Sequence, residues 1–506
     1  MDSSFRFLAV AAGALIAAGC STPVPQALKP KDVPPSFIGP LAPDASVWPN
    51  PGWWKAFGSD EMSGLIVRAQ TDNLDIAVAM ANVLQAEANR DIALAALFPD
   101  ITANASAQRT RTPGSSQLIP NGKGGFTTVT SPPFTGNSFG LGLSASYEAD
   151  IWGLAQDNLR VADEALKSSR FAREEVALTT TATVATTFLD VLALREEIAT
   201  IQQNIDAAKR ILTITEAKVT NGISSQLDLS QQQATVAGQE AALPPLREQE
   251  REAVFALAIL LGEPPEGFNV TAKNLDAVKV PAVTPGIPST LLQRRPDVAQ
   301  AEANLASAHA NVDAARAAFF PQINLTTAGG FASTMISTLF RYPGSLQWSL
   351  GATALQQVFD GGRLIGESEL AKAEQQGLIS TYRKTVISAF SDVDTSLGQV
   401  ANFGEEEEAL QREVTASANA FRISELQYRE GIADLLSVLQ AQQTLFTAEN
   451  LLIQVKLARV QADVNLYRAL GGGWAENPEE ATQPISVAQP ASTAPTTPAP
   501  PPATKG

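Results

Sequence analysis

The chain repeats itself. Ala93-Leu94-Ala95-Ala96-Leu97-Phe98-Pro99-Asp100-Ile101 returns as Ala315-Arg316-Ala317-Ala318-Phe319-Phe320-Pro321-Gln322-Ile323. Val219-Thr220-Asn221-Gly222-Ile223-Ser224 has a partner in Tyr428-Arg429-Glu430-Gly431-Ile432-Ala433, and Leu261-Gly262 echoes Leu470-Gly471. Landmarks in one order at nearly one spacing indicate a duplicated unit of roughly 200 residues. Each copy reads helix, strand, turn, strand, very long helix, tight turn, long helix. A fold of that kind suits a tube better than an enzyme.

In the first copy, Met62–Leu97 reads as one helical run, with Leu65, Ala69, Ile76, Met80 and Leu84 at helical spacing and Pro99 as its stop. Ile101–Arg111 alternates small and polar residues. Thr112–Gly136, rich in Pro and Gly, reads as a long loop. Phe139, Leu141, Leu143, Ala145 and Tyr147 then recur at every second position, which is strand periodicity. In the second copy Asp297–Phe320 reads as helix. A strand begins with Ile323, Leu325 and Thr327, Ala328–Pro343 reads as loop, and Leu346, Trp348, Leu350, Ala352 and Ala354 alternate again. Four strands of about ten residues have the length that crosses a bilayer obliquely.

In lipid a sheet must close, because each unpaired edge amide or carbonyl costs several kcal/mol. Closure takes at least about eight strands, so a four-stranded chain must share its barrel with copies of itself. Two copies reach the minimum, and three give about twelve strands and an aqueous lumen.

The longest elements follow each strand pair. Leu154–Asn221 has neither glycine nor proline and as one helix would reach roughly 100 Å. Gly222 turns it, and Ser224–Leu261 returns. In the second copy Arg363–Glu430 goes out, Gly431 turns and Asp434–Leu470 returns, with Gly366, Gly377, Gly398 and Gly404 as points where the outgoing helix can bend. Apolar spacings of three and four place these helices against neighbours in coiled-coil style. An extended coiled-coil dimer accounts for the helices but not for the strands.

Composition excludes several function classes. A net charge of −16 leaves no basic face for nucleic acid. One cysteine, Cys20, and one histidine, His309, allow no internal disulfide and no thiolate or imidazole metal centre. His309 lies among small residues and reads as a packing or surface residue. Histidine-based triads and phosphate loops are lacking, and Glu405–Glu408 reads as a solvated face. No run reaches the 18 or so apolar residues of a spanning helix.

The apolar run Phe7–Ala18 ends in Ala17-Ala18-Gly19-Cys20-Ser21. This resembles a bacterial lipoprotein signal, cleaved before Cys20 with acylation of its thiol and new amine. Ala17 stands where leucine is usual, and Arg6 is the single basic side chain ahead of the apolar run. An ordinary secretory signal with an incidental cysteine is the other reading. Ser21 rather than an aspartate after the cysteine favours outer over inner membrane, by analogy with lipoprotein sorting. The expected organisation is a signal peptide at 1–19, a lipid-anchored proline-rich strap at 20–58, repeat 1 at 59–270, repeat 2 at 271–475 and a disordered Pro/Thr/Ala-rich tail at 476–506. Trp48, Trp53, Trp54 and Phe57 mark where the strap meets the body.

The run Leu291-Leu292-Gln293-Arg294-Arg295-Pro296-Asp297-Val298-Ala299-Gln300-Ala301-Glu302, continuing to Phe319-Phe320-Pro321, resembles the signature of TolC-type outer-membrane efflux factors, in particular their lipoprotein branch. Asp150-Ile151-Trp152-Gly153, Val358-Phe359-Asp360-Gly361-Gly362-Arg363 and the turns at Gly222 and Gly431 match in order, across roughly residues 45–475. The resemblance implies a homotrimer with a shared twelve-stranded β-barrel in the outer membrane, continued by a twelve-helix α-barrel tunnel in the periplasm. It further implies docking to a periplasmic adaptor (membrane fusion) protein and an inner-membrane RND-type pump. No cofactor beyond the lipid on Cys20 and no chemical step are implied. The implied function is a passive exit duct for drugs or other small molecules. The alternatives are a type I protein-secretion duct of the same fold, or a periplasmic adaptor or structural coiled coil.

By the same resemblance Asn221, Gly222, Ile223, Ser224, Arg429, Glu430, Gly431 and Ile432 form the tip that contacts the adaptor. Family gates use aspartate rings and tyrosine–arginine links. Asp228, Tyr428 and Asp434 are the matching candidates, while Ser437 and Gln440 stand where acids are often found. Capping of the returning helices is the competing role for Asp228 and Asp434. Arg294, Arg295 and Asp297 read as structural, with the arginines pairing neighbouring carboxylates.

Overall fold

The computed structural model describes residues 28, 32–34, 36–38, 49–120, 122, 125–281 and 291–474. Cys20, the signal segment, Trp48 and the tail from 476 onward lie outside the described residues, as do the expectations attached to them.

A short 3₁₀ turn, Trp53–Phe57, leads into α1 (Asp60–Asp72) and α2 (Leu74–Ala95). The single helix read over Met62–Leu97 is thus two. Asn73 breaks it: its backbone is extended, its side chain accepts from the amides of Asp75 and Ile76, and its Nδ2 donates to the carbonyl of Leu260. The apolar spacing runs on across the break, so periodicity alone did not expose it.

The strands are β1 (Asp100–Thr112), β2 (Ser115–Pro120), β3 (Phe126–Ser131), β4 (Phe134–Glu148), β5 (Gln322–Ser333) and β6 (Leu346–Leu355). The stretch read as a loop over Thr112–Gly136 contains the β2–β3 hairpin, whose Thr and Val residues suit paired strands between proline and glycine breaks. Likewise β5 runs through Gly329-Gly330 to Ser333, where a loop was expected from Ala328. Gly330 is required there: a Cβ would lie 2.3 Å from the carbonyl oxygen of Leu141. One antiparallel sheet has the order β1-β4-β5-β6, so the two halves of the chain meet at β4–β5 and leave β1 and β6 as edges.

Four long helices follow as two hairpins: α3 (Leu154–Thr220) with α4 (Gln226–Leu260), and α6 (Arg363–Arg429) with α7 (Leu435–Ala469). The outgoing members have 67 residues each and the returning ones 35. Helix α6 is continuous through its four glycines, and α4 continues through Pro244 and Pro245. Helix α5 (Pro296–Ala317) precedes the second strand pair, with Pro296 in its first turn. Both outgoing helices start at a left-handed glycine, Gly153 (φ 81°) and Gly362 (φ 91°). An aspartate caps each: Asp150 accepts from the amides of Ala155 and Gln156, and Asp360 from those of Gly362 and Leu364. The junction motifs read from the sequence are therefore helix starts.

The main core joins the halves. Trp53 stacks on Tyr467 of α7 with centroids 4.9 Å apart, and Phe57, Met62, Ile66, Val184, Phe188, Leu192 and Val464 surround them. A second cluster pins Phe37 to Phe390, Val386 and Leu466. Contrary to the sequence reading, α3 contains a window apolar and long enough to cross a membrane. Threonines interrupt it, and 56% of it is buried inside the chain, as in a core helix. His309 is half-buried and its Nδ1 lies 3.0 Å from the Gln375 amide, linking α5 to α6.

Candidate functional site

Two regions carry the functional expectations: the sheet and the two hairpin turns.

Side chains alternate across a strand, and the register sorts them by chemistry. One face collects Ile101, Ala103, Ala105 and Ala107 of β1, Phe139, Leu141, Leu143, Ala145 and Tyr147 of β4, Leu325 and Phe331 of β5, and Leu346, Trp348 and Leu350 of β6. The other holds Thr102, Asn104, Ser106, Ser138, Gly140, Gly142, Ser144, Asn324, Thr326, Gln347 and Ser349, with the Thr102 and Ser144 hydroxyls 2.7 Å apart. The apolar face is open within this chain: Trp348 and Leu350 are each 77% exposed. A second apolar group lies at the base of the sheet. Trp152 stacks on Phe320 at 4.7 Å and donates from Nε1 to the carbonyl of Pro321, and Phe98, Val358 and Phe359 stand exposed nearby in sequence. An exposed apolar band bordered by aromatics is the pattern of a lipid-facing barrel wall.

The two turns share one geometry. The amide of Gly222 bonds to the carbonyl of Val219 and that of Ile223 to Lys218, while the amide of Gly431 bonds to Tyr428 and that of Ile432 to Gln427. This is the Schellman arrangement, which needs a left-handed residue, and Gly222 (φ 71°) and Gly431 (φ 77°) supply it. The echo of Leu261-Gly262 in Leu470-Gly471 is the same device at the other end of the hairpins.

The returning helices are capped by exchanged residues. Ser225 and Asp228 form a capping box: the amide of Asp228 donates to Ser225 Oγ and the amide of Ser225 to Asp228 Oδ2. In the second turn Asp434 is the cap, accepting from the amide of Ser437 at 2.9 Å. Serine and aspartate have traded places, which accounts for Ser437 standing where an acid was expected. The Ser224 hydroxyl, 2.6 Å from Asp228 Oδ2, and the Ser225 amide hold the Asp228 carboxyl below its ordinary range. Ser437 does the same for Asp434, against a small opposing push from the charge of Asp228. Gln440 is exposed.

Tyr428 is buried at 3% exposure between the hairpins. Its hydroxyl is 3.0 Å from Thr215 Oγ1, which itself donates to the carbonyl of Ile211. Lys218 Nζ sits 4.5 Å from the ring centroid. Within this chain the tyrosine therefore links α6 to α3 through a threonine rather than an arginine. Asn221 donates back to the carbonyl of Ala217, Arg429 lies 3.6 Å from Glu430, and Ile223 and Ile432 are more than two-thirds exposed at the turn apices.

Arg295 holds the body together: it is bidentate to Asp297, reaches Asp392 at 3.1 Å and donates to the carbonyl of Ala469, joining α5, α6 and α7. A cavity of about 410 Å³ beside it is lined by Glu175, Asp392 and Arg468, and burial pushes the Glu175 carboxyl up.

Sequence reasoning missed a polar ladder along α3–α7. Asp190 accepts from Gln461 at 2.7 Å, Glu197 faces Gln454, and Glu449 faces Asn204 with Glu449 Oε2 and Asn204 Nδ2 both buried and unpartnered. Burial raises all three carboxyls, and it pushes Asp463, 1% exposed with Arg459 opposing, up to about 7. The available signal was heptad spacing at Asp190, Glu197 and Asn204 and at Glu449, Lys456 and Asp463.

The sequence profile described as "Outer membrane efflux protein" matches residues 65–263 and 287–472, one block in each half. The chain belongs to the outer membrane efflux protein family. It is 40% identical over 422 residues to the pyoverdine export outer membrane protein OpmQ of Pseudomonas aeruginosa, covering 83% of this chain and 87% of that one. It is 31% identical over 499 residues to the antibiotic efflux pump outer membrane protein ArpC of Pseudomonas putida, covering 96% and 99%. Its fold is that of the open-state MtrE outer membrane channel of Neisseria gonorrhoeae, with a TM-score of 0.78, 27% identity, and coverage of 91% and 100%. The family resemblance read from the sequence is thus shown, together with location in the outer membrane and the role of exit duct for efflux. The relatives are efflux and channel proteins, not enzymes.

Proposed function

We propose that three copies of this chain close one twelve-stranded barrel in the outer membrane, continued by a periplasmic tunnel of twelve helices, which passively conducts small molecules handed over by a periplasmic adaptor and an RND-type inner-membrane pump. The observation that carries this is the four-stranded sheet with an apolar face, a polar face and two unpaired edges. In lipid such a sheet persists only when another copy pairs its edges. The apolar face meets lipid and the polar face lines the lumen.

Around this reading stand the finer assignments. Cys20 carries the lipid after removal of residues 1–19, a strap over 20–58 leads to repeats 59–270 and 271–475, and residues 476–506 form the tail. The hairpin turns are the adaptor-facing tip, where exposed Ile223 and Ile432 offer apolar contacts. Asp228 and Asp434 of three chains give the pore its acidic constriction, and Tyr428 holds the hairpins together behind it. The names of the relatives, pyoverdine export and antibiotic efflux, favour small organic cargo. Planar-bilayer recording of the purified full-length protein tests this: discrete conductance steps are expected, and inserted, folded protein with no conductance would refute it.

A further inference from the structure

The charges of the sheet are one-sided. Residues 101–147 and 322–355 contain no aspartate or glutamate, in a chain with 52 acids. They do contain Arg109, Arg111, Lys123 and Arg341. Acids instead mark the base of the sheet, at Asp100, Glu148, Asp150 and Asp360.

Three of these basic residues, all arginines, lie toward the opposite end of the sheet. Arg109 and Arg111 share the face of Ile101, Ala103, Ala105 and Ala107, because they lie at even spacing along β1. Arg109 pairs with Asn137, two residues beyond Phe139, and Phe139 pairs with Ser333 at the end of β5. Arg341 lies in the β5–β6 connection at that same end. Its neighbour Phe340 packs edge-on against Phe331 of the apolar face at 5.6 Å, which folds this connection onto the outer side. Phe340 and Tyr342, on either side of Arg341, are 65% and 74% exposed. Among the described residues Arg109, Arg111 and Arg341 are exposed and form no ion pair. At about 3.3 Å per residue and a strand tilt of about 40°, Arg109 and Arg111 stand about 20–25 Å above Ile101, the upper margin of an apolar band about 25 Å tall.

We propose that Arg109, Arg111 and Arg341 form a collar for the phosphate groups of outer-leaflet lipopolysaccharide. Guanidinium forks match phosphate oxygens, the long stems lie along the apolar wall, and the flanking aromatics sit at headgroup level. The absence of acids leaves phosphate as the counter-charge. This rests on the reading that the apolar face meets lipid.

The test uses the full-length protein in detergent, titrated with lipopolysaccharide and followed by native mass spectrometry, beside the triple variant Arg109→Gln/Arg111→Gln/Arg341→Gln. At about fivefold per arginine, the triple variant is expected to bind ~100-fold more weakly. Dephosphorylated lipopolysaccharide should bind the wild type as weakly as the variant binds the intact lipid, and added inorganic phosphate should not compete at millimolar levels. Equal binding of intact lipid by both proteins, or of both lipids by the wild type, would overturn the collar. A variant whose altered ion selectivity is the single change would place the arginines in the pore mouth and overturn it as well. Bilayer conductance separates this from the channel reading: a conducting variant with unchanged lipid binding refutes the collar alone, whereas folded wild type that never conducts refutes the channel.

Discussion

Replacing Asp463 with asparagine should remove a pH dependence from the stability of the helical body. Asp463 lies in α7, 1% exposed, with Oδ2 buried and unpartnered, and burial lifts its carboxyl from 3.8 to about 7 against the pull of Arg459. The folded chain therefore keeps a proton that the unfolded chain releases between pH 4 and 7. Its stability is full below about pH 4 and falls as pH rises toward 7. At 1.36 kcal/mol per unit, the shift is roughly 4 kcal/mol per chain. An asparagine at this position cannot ionise, so the variant should gain on the wild type by roughly that amount between pH 4 and 8. Circular dichroism melts of the detergent-solubilised protein at half-unit steps would read it, at one fixed scan rate because unfolding of such an assembly is scan-dependent. Wild-type and variant melting temperatures that run parallel across the range would refute the argument that this carboxyl is desolvated in the fold.

The Tyr428→Phe substitution should cost about 1 kcal/mol by removing the bond to Thr215, and it should raise the open probability in single-channel records; unaltered gating would confine the residue to packing. With Asp228→Ala the capping box is lost, at about 1 kcal/mol. That variant should also raise leak conductance, and an unchanged leak would take Asp228 out of the gate. Gly431→Ala meets no atom within 4 Å, so its cost is backbone strain of about 1–2 kcal/mol at positive φ, read as weaker adaptor binding with the helices intact. Gly330→Val should block barrel formation, since its Cβ meets the Leu141 carbonyl; outer-membrane protein that resists heat in gels as the wild type does would contradict this.

The first outgoing helix was legible because 67 residues without glycine or proline leave few other folds, and the strands because Phe139 to Tyr147 and Leu346 to Ala354 keep a strict period of two. The turns were legible because Gly222 and Gly431 are required by their backbone angles. What stayed hidden depended on partners remote in sequence. Asn73 breaks α1 from α2 partly through the carbonyl of Leu260, a contact no local pattern encodes. The β2–β3 hairpin was obscured by the prolines and glycines that bound it. At the candidate gate, sequence comparison of Ser437 with an expected acid concealed that Asp434 and Ser437 had exchanged capping roles with Ser225 and Asp228. Tyr428 was correctly singled out, yet its partner Thr215 lies 213 positions away.

The central claim is that one chain holds a third of a closed wall. Its direct test is the copy number of the purified, conducting particle, measured by native mass spectrometry on the sample used for bilayer recording. Three chains per particle is the expected result, and a single-chain particle that still forms the pore would contradict it.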